Sequence, residues 1–215
     1  EVVNALVALY HQGKFDEILK QENELINLYP DSVDLYNIYG STNLALNQFK
    51  CAIGNFRKAI KINPKLPVIF YNLGLSFHYD ENFESAISSY EQAIELKPDY
   101  AEAYCNKGMS LNEKGDLKGA IKSYKKTLEI NPDHIGAYYN IGAIYSKTGE
   151  LNSAIKNYKK AISLDPKNAS FYNNLGEVYS KMGKLNKSII NYKKAIELQP
   201  TLWEAYNNLS LVYEE

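Results

Sequence analysis

Apolar residues recur along the chain at the spacing of an amphipathic helix. In the stretch 135–168, Tyr138, Ile141, Gly142 and Tyr145 lie three, one and three residues apart. This spacing places them on one face of a helix of about 3.6 residues per turn. No segment shows the alternation that is typical of a half-buried β-strand. The pattern therefore predicts an all-α fold.

The helical pattern repeats every 34 residues. Prolines mark the period, at Pro30, Pro64, Pro98, Pro132, Pro166 and Pro200. A fixed period of this length predicts a solenoid, in which each repeat packs on its neighbours. We therefore expect one array over 1–215. It comprises a divergent repeat at 1–32, complete repeats at 33–66, 67–100, 101–134, 135–168 and 169–202, and a lone first helix at 203–215.

A turn divides each repeat into two helices, called helix A and helix B below. For 135–168 we expect helix A from Ile135 to Lys147 and helix B from Leu151 to Leu164. Glycine suits the turn between them because it adopts a positive φ without strain. The turn position holds Gly13, Gly115, Gly149 and Gly183, with Asn47 and Glu81 in two other repeats.

The most regular residues form a framework. In 135–168 they are Tyr138, Ile141, Gly142, Tyr145, Ala154, Tyr158, Ala161 and Pro166. This framework resembles the tetratricopeptide repeat, whose pattern runs from an aromatic residue through Leu-Gly-x2-Tyr and Ala-x3-Phe to a proline. The resemblance covers five complete copies in 33–202. It implies a right-handed superhelical solenoid of antiparallel helix pairs, in which helix A lines a concave groove.

The glycines inside helix A predict close packing between helices. Each lowers the stability of its helix by about 1 kcal/mol relative to alanine. We expect the compensation to be a close approach of helix B at its framework alanine. The glycines are Gly40, Gly74, Gly108, Gly142 and Gly176, and the expected partners are Ala52, Ala86, Ala120, Ala154 and Ser188.

Composition narrows the range of partners. The chain has 24 Lys+Arg against 25 Asp+Glu, so it lacks the positive excess that nucleic acids and anionic membranes require. It shows neither a signal peptide nor an apolar run long enough to span a bilayer. Lysines gather on helix B, where we expect a solvated outer face rather than a patch for an acidic partner. Cys51 and Cys105 lie outside any CxxC spacing, which favours free thiols and the cytoplasm.

No catalytic, cofactor or metal constellation appears in the sequence. His11, His78 and His134 fall at unrelated repeat positions. Phosphate-binding loops, GxSxG elbows and HExxH helices do not occur. We therefore expect no enzymatic activity, no cofactor and no metal site.

Asparagines two residues before the framework glycine, or its equivalent, form the most informative set. We call this set the amide ladder: Asn72, Asn106, Asn140, Asn174 and Asn208. At about 100° per residue, each points about 160° away from the glycine position, outside the buried seam. Stacked repeats would align these amides along one surface.

An asparagine amide has one acceptor and two donors, so it can bond both the C=O and the N–H of an extended peptide. The ladder is similar to the one in the repeat region of O-linked N-acetylglucosamine transferase. This similarity implies that the five asparagines hold a peptide backbone. Side-chain preference would come from neighbours that include Tyr71, Tyr139, His78 and Lys147. The alternative is structural, with each amide bonded to the neighbouring helix.

These features predict a non-catalytic scaffold that binds an extended peptide or a partner protein along helix A. Two alternatives stay open. The start without Met and the end after a lone helix A are typical of a piece of a longer protein, such as the substrate-recruiting arm of a glycosyltransferase or sulfotransferase. Alternatively, 203–215 exposes an apolar face with Trp203, Leu209 and Tyr213, through which molecules associate end to end.

Overall fold

The structure, a computed structural model, describes residues 2–214. These residues form 14 α-helices and no β-strand. The helices are α1 (Val2–His11), α2 (Phe15–Leu19), α3 (Glu22–Leu28), α4 (Val33–Ala45), α5 (Phe49–Ile62), α6 (Pro67–Tyr79), α7 (Phe83–Leu96), α8 (Ala101–Glu113), α9 (Leu117–Ile130), α10 (Ile135–Thr148), α11 (Leu151–Leu164), α12 (Ala169–Lys181), α13 (Leu185–Leu198) and α14 (Trp203–Glu214). None of these helices has both the length and the apolar run needed to cross a bilayer.

The chain divides into two compact units, one ending at Ala120 and the other beginning at Ile121, within α9. In the first unit each helix from α4 to α8 packs against the next. The second unit repeats this arrangement from α10 to α14. Short turns join the helices of each pair and make them antiparallel. The predicted all-α class of packed helix pairs is thereby confirmed, while a single array over the whole chain stays a prediction.

Turn chemistry explains where the helices of a pair separate. The predicted glycines have positive φ, for example 84° at Gly149 and 67° at Gly183. Asn47 and Glu81 adopt the same left-handed conformation at φ 59° and 58°. The repeat therefore imposes this backbone conformation even where the residue is not glycine. Side-chain caps start several helices, as where Ser32 accepts from the N–H of Leu35.

The glycines inside helix A contact the aromatic ring of helix B, which corrects the expectation for the framework alanine. A Cβ at Gly74 would lie 2.6 Å from Cε1 of Tyr90. A Cβ at Gly176 would lie 2.7 Å from the ring of Tyr192, and Gly40 and Gly142 face Phe56 and Tyr158 in the same way. These rings are buried. The ring, four residues after the alanine position, occupies the space that a glycine leaves.

Only one of the expected helix B partners, Ser188, has a direct bond to a framework glycine in the described structure. Its Oγ donates to the carbonyl oxygen of Gly176 at 2.8 Å. Ala52, Ala86 and Ala154 are fully buried but are not among the nearest atoms to the glycines of their own repeats. Small residues at this position let helix B come close enough for its ring to reach the glycine.

The first repeat differs from the predicted pair of helices, because its helix B is broken into α2 and α3. Glu22 stands where the other repeats have the buried ring, 34 residues before Phe56. A carboxylate cannot fill an apolar seam without a large desolvation cost. The break at residues 20–21 leaves Glu22 half-buried, and its carboxylate accepts from Nδ2 of Asn55 at 3.1 Å. Leu6, at the framework glycine position, is buried in the core.

We expect Gly74→Ala to lower the free energy of unfolding by about 1–3 kcal/mol, because the new methyl group would overpack the buried ring of Tyr90. Gly54→Ala is the matched control, since Gly54 also lies inside a helix but has open space around its Cβ position. It should raise stability by about 0.5–1 kcal/mol through helix propensity. Urea denaturation followed by circular dichroism measures both, and a gain in both variants would contradict the ring-against-glycine packing.

Candidate functional site

The amide ladder lies on the A helices, with one member on each of α6, α8, α10, α12 and α14. All five side chains are half-buried, outside the core clusters. The helical geometry that turns them away from the framework glycine is therefore observed in both units. Their surroundings are given below for each unit by itself.

Ladder amides donate to tyrosine hydroxyls of the preceding helix A. In the first unit, Nδ2 of Asn106 donates to the hydroxyl oxygen of Tyr71 at 2.9 Å. In the second unit, Nδ2 of Asn174 donates to the hydroxyl oxygen of Tyr139 at 2.9 Å. Each bond spans 35 residues, one more than the repeat. The acceptor is thus the residue just before the ladder position of the preceding repeat.

Asparagine replaces tyrosine as the acceptor elsewhere in the same pattern. Nδ2 of Asn208 donates to Oδ1 of Asn173 at 3.1 Å, and Nδ2 of Asn72 donates to Oδ1 of Asn37 at 3.4 Å. Asn173 in turn donates to Oδ1 of Asn174 at 3.3 Å. The structural alternative, in which the amide bonds the neighbouring helix, therefore accounts for one of the two N–H groups of Asn72, Asn106, Asn174 and Asn208.

The inter-helix bond leaves other hydrogen-bonding groups of a ladder amide available. Nδ2 carries two hydrogens and Oδ1 has two lone pairs. After one N–H has been donated to the preceding helix, Asn106 retains a second N–H, and its Oδ1 accepts from no described group. The bond also fixes the side-chain rotamer. A fixed amide with a donor and an acceptor remaining is suited to bond a peptide unit.

Tyr71 and Tyr139 are held by other aromatic rings. The ring of Tyr71 lies 5.1 Å from that of Tyr100, and the ring of Tyr139 lies 5.3 Å from that of Phe171. Burial raises the pKa of the Tyr71 phenol, although the hydrogen bond from Asn106 acts in the opposite direction. The phenol therefore stays protonated at neutral pH, and its O–H remains a donor beside the ladder.

His78 lies in the last turn of α6, with Nδ1 2.9 Å from Oγ of Ser110. Ser110 uses its only hydroxyl hydrogen on the carbonyl oxygen of Asn106, at 3.1 Å. The Nδ1 atom of His78 is therefore the donor. Burial lowers the pKa of His78, with Glu113 opposing the shift, so the ring is neutral at pH 7 and Nε2 is left as an acceptor.

Lys147 is the sequence-predicted residue with the weakest connection to the ladder. It is exposed in the last turn of α10, and no described residue forms an ion pair with it. Its counterpart Lys181 contacts Oε1 of Glu177 at 2.6 Å and Oγ of Ser146 at 3.3 Å. The structure thus gathers Tyr71 and His78 about Asn106, and Tyr139 about Asn174, but does not bring Lys147 to a ladder amide.

Sequence reasoning missed two features of this face. The first is the role of Ser110 in fixing the histidine tautomer. The second is the 35-residue offset of the amide bonds. A signal for the offset is present in the sequence, since Asn37, Tyr71, Tyr139 and Asn173 all provide an oxygen immediately before a ladder position or its equivalent.

The thiols and carboxylates form no further centre in the described part of the chain. Cys51 is exposed and Cys105 is buried, and both are free. Burial, with a smaller contribution from Glu102, raises the pKa of the Cys105 thiol to about 11, so it is not a reactive thiolate. Within 2–214 no group of His, Cys, Asp and Glu has the arrangement of a metal site.

Antiparallel helix pairs packed in succession, with ladder amides on the A helices of each unit, define a helical repeat protein. The chain belongs to the tetratricopeptide repeat family. The family model described as TPR repeat matches residues 40–80, 76–112, 108–149 and 144–183, and the model described as tetratricopeptide repeat matches 169–202. The family resemblance predicted from the framework residues is confirmed.

Solved structures of similar fold include a protein called MamA, which is 26% identical, with a TM-score of 0.72 over 78% of this chain and 92% of that one. YrrB, described as a TPR protein with an unusual peptide-binding site, is 19% identical, with a TM-score of 0.70 over 86% and 96%. The APC/C hetero-tetramer Cut9–Hcn1 contains a chain that is 20% identical, with a TM-score of 0.73 over 97% of this chain and 42% of that one. No curated protein sequence matches the chain.

We expect a measurable coupling between Asn106 and Tyr71. Asn106→Ala removes the donor, and Tyr71→Phe removes the acceptor while keeping the ring. In a double-mutant cycle the coupling should be about 0.5–1.5 kcal/mol, because one net hydrogen bond is lost in either variant. Asn106→Ala combined with Tyr29→Phe, an exposed tyrosine in the same unit, is the control and should be additive. Additivity in both pairs would show that the amide bond to the preceding helix does not contribute to the free energy of unfolding.

Proposed function

We propose that this protein is a non-catalytic scaffold that binds an extended segment of a partner protein along its A helices. The observation that carries the proposal is the arrangement of the ladder amides. One donor anchors the amides of Asn72, Asn106, Asn174 and Asn208 to the preceding helix A, and at Asn106 the second donor and the acceptor remain. An extended peptide presents a C=O and an N–H to such an amide, so the two groups can pair bidentately.

Anchoring increases the affinity that such a contact can provide. A free asparagine side chain loses rotamer entropy when it binds, whereas an amide already held by Tyr71 or Tyr139 loses less. The bond to the tyrosine also determines which edge of the amide is available. We propose that the remaining edges of Asn72, Asn106, Asn140, Asn174 and Asn208 contact the peptide backbone, within each unit.

Selectivity for peptide side chains would come from the groups beside the ladder. The phenol O–H groups of Tyr71 and Tyr139 are donors, and Nε2 of neutral His78 is an acceptor. Lys147 adds an exposed positive charge that suits an acidic side chain at one end of the bound segment. Recognition of backbone by amides is otherwise nearly independent of sequence, so we expect degenerate ligands with one or two preferred positions.

The comparisons support binding in general terms. YrrB, with the same fold, is described as having a peptide-binding site, and the Cut9 structure is a hetero-tetramer. The family is one of interaction scaffolds, which accords with the lack of any catalytic constellation in the sequence. The alternative of an arm that recruits substrates for an enzyme stays a prediction, and the extent of the encoding reading frame tests it.

A displayed library of extended peptides should be enriched by the wild-type chain. We expect the enrichment to vanish for the triple variant Asn106→Ala, Asn140→Ala and Asn174→Ala, because the backbone contacts are removed together. The control is the triple variant Asn4→Ala, Asn152→Ala and Asn186→Ala, in which the substituted asparagines are all exposed and lie outside the ladder. It should retain the enrichment.

A second variant separates ligand contact from structural support. Tyr71→Phe with Tyr139→Phe removes the same inter-helix bonds but leaves the ladder amides in place. We expect this variant to bind the enriched peptides more weakly than the wild type but well above the triple ladder variant. Equal loss in the tyrosine and asparagine variants would instead assign the ladder a structural role alone, and enrichment that survives the ladder substitutions would place the peptide elsewhere.

Self-association through 203–215 is a second candidate, favoured by the exposed apolar side chains of α14. Trp203, Leu211 and Tyr213 are 65%, 61% and 60% exposed, and Leu211 and Tyr213 point in nearly opposite directions around the helix. Leu209, which sequence reasoning placed on this face, is only half-exposed. We infer that Trp203 and Leu211 would carry the contact.

For this candidate, light scattering should show a mass that rises with concentration in the wild type. Trp203→Glu with Leu211→Glu should remove the rise, because two charges would be buried without partners in the contact. Leu28→Glu is the control, since Leu28 is also 61% exposed but lies in α3. A constant monomeric mass of the wild type at all concentrations would exclude the contact.

A further inference from the structure

A cleft of about 520 Å³ opens in the second unit between α9, α10 and α11. Its apolar part consists of Leu128, Tyr138, Ile141 and Tyr145. Its rim consists of Ser153 and Asn157 with three lysines, Lys125, Lys156 and Lys160. No ladder asparagine lines it. The cleft is thus separate from the face proposed above to bind a peptide backbone, and its size is in the range of small ligand sites.

In the first unit, cationic side chains occupy the positions that correspond to this cleft. The guanidinium of Arg57, two repeats before Lys125, lies 5.5 Å from the ring centre of Phe77, the counterpart of Tyr145. Lys107, at the position of Ile141, forms a 2.6 Å ion pair with Glu91, at the position of Lys125. A cation or an ion pair therefore covers the apolar surface there.

The next repeat of the second unit covers its own ring in a similar way. Nζ of Lys187 lies 5.7 Å from the ring centre of Tyr179. The residue at the position of Lys187 in the cleft repeat is Ser153, whose side chain is far shorter. The ring at the position of Tyr179 is Tyr145, which lines the cleft. Compared with the next repeat, the space at Tyr145 is open where Ser153 replaces the covering lysine.

The charges around the cleft are positive. Lys125 and Lys156 are exposed, and no described residue forms an ion pair with either. Lys160 lies 3.7 Å from Asp133 and 5.9 Å from the ring centre of Tyr138. Because Lys160 and Asp133 are largely exposed, this pair is weak and can open. Within the second unit no acidic side chain lines the cleft.

We infer that this cleft binds an acidic segment of a partner protein, which inserts one aromatic or large aliphatic side chain against the partly exposed rings of Tyr138 and Tyr145. Carboxylates on either side of that side chain pair with Lys125, Lys156 and Lys160. Apolar contact gives the segment its position, and the lysines select for negative charge. The outer face of helix B, predicted from the sequence to be only solvated, is then a second binding surface.

The test uses a fluorescein-labelled peptide, Glu-Glu-Asp-Phe-Asp-Glu-Glu, and fluorescence anisotropy at low salt. Ser153→Lys reproduces the residue that covers the ring in the next repeat. We expect it to weaken binding by about tenfold or more, although it adds a positive charge. Simple attraction between opposite charges would give the reverse result, with tighter binding. Exchange of the peptide's Phe for Ala should cause a similar loss with the wild-type chain.

A second pair of variants keeps the test decisive if Ser153→Lys disturbs folding, which circular dichroism and thermal melting reveal. Lys156→Gln and Lys159→Gln each remove one charge from the exposed surface of α11, but only Lys156 lines the cleft. We expect Lys156→Gln to weaken binding several-fold more than Lys159→Gln. The inference is overturned if the two are equal, if Ser153→Lys binds as tightly as the wild type, if the Phe is dispensable, or if the peptide does not bind at all.

Discussion

The contact of an aromatic ring with a glycine determines how the two helices of a repeat meet. Because Gly74 has no Cβ, the ring of Tyr90 lies directly against the backbone of α6. This contact fixes the rotation of helix A about its axis, since only one face can present the glycine to the ring. The side chain two residues earlier, Asn72, is then turned to the neighbouring helix A, where it meets Asn37. The ring–glycine contact inside a repeat thus determines which residues of helix A face the neighbouring repeat.

The two candidate binding surfaces depend on this contact in different ways. The amide ladder uses a position that recurs in successive repeats, so it can contact a ligand of uniform composition such as a peptide backbone. The basic cleft depends on a position that varies, because Ser153 leaves open what Lys187 covers in the next repeat. In a repeat protein the framework specifies the fold, and the remaining positions can change without disturbing it. The same fold can therefore carry a surface that recurs in successive repeats, such as the amide ladder, and a surface that occurs at one repeat, such as the basic cleft.

The helix pairs and their turns could be predicted from the period because both are set by local interactions. Even Asn47 and Glu81 adopt the left-handed turn that position in the repeat implies. Two predictions were wrong, and in both the outcome depends on how far a side chain extends from one helix to another. Helix B of the first repeat breaks because Glu22 replaces a buried ring, and the ring rather than the alanine contacts the glycine because an aromatic side chain extends back along its helix. The bonds of the ladder amides depend on the distance between the A helices of two successive repeats. The pattern of residues within one repeat does not specify this distance.

The offset of 35 residues in the ladder bonds gives each unit a polarity. An asparagine never pairs with its own counterpart, and it donates to the residue just before that counterpart, as Asn174 does to Tyr139. Donor and acceptor are therefore adjacent on one helix A, as in Asn173 and Asn174. A gene duplication that copies a whole repeat would copy both groups together, in the correct order. Such an array can lengthen or shorten by complete repeats during evolution, and a junction with Tyr or Asn at the acceptor position forms its inter-helix bond without any compensating substitution.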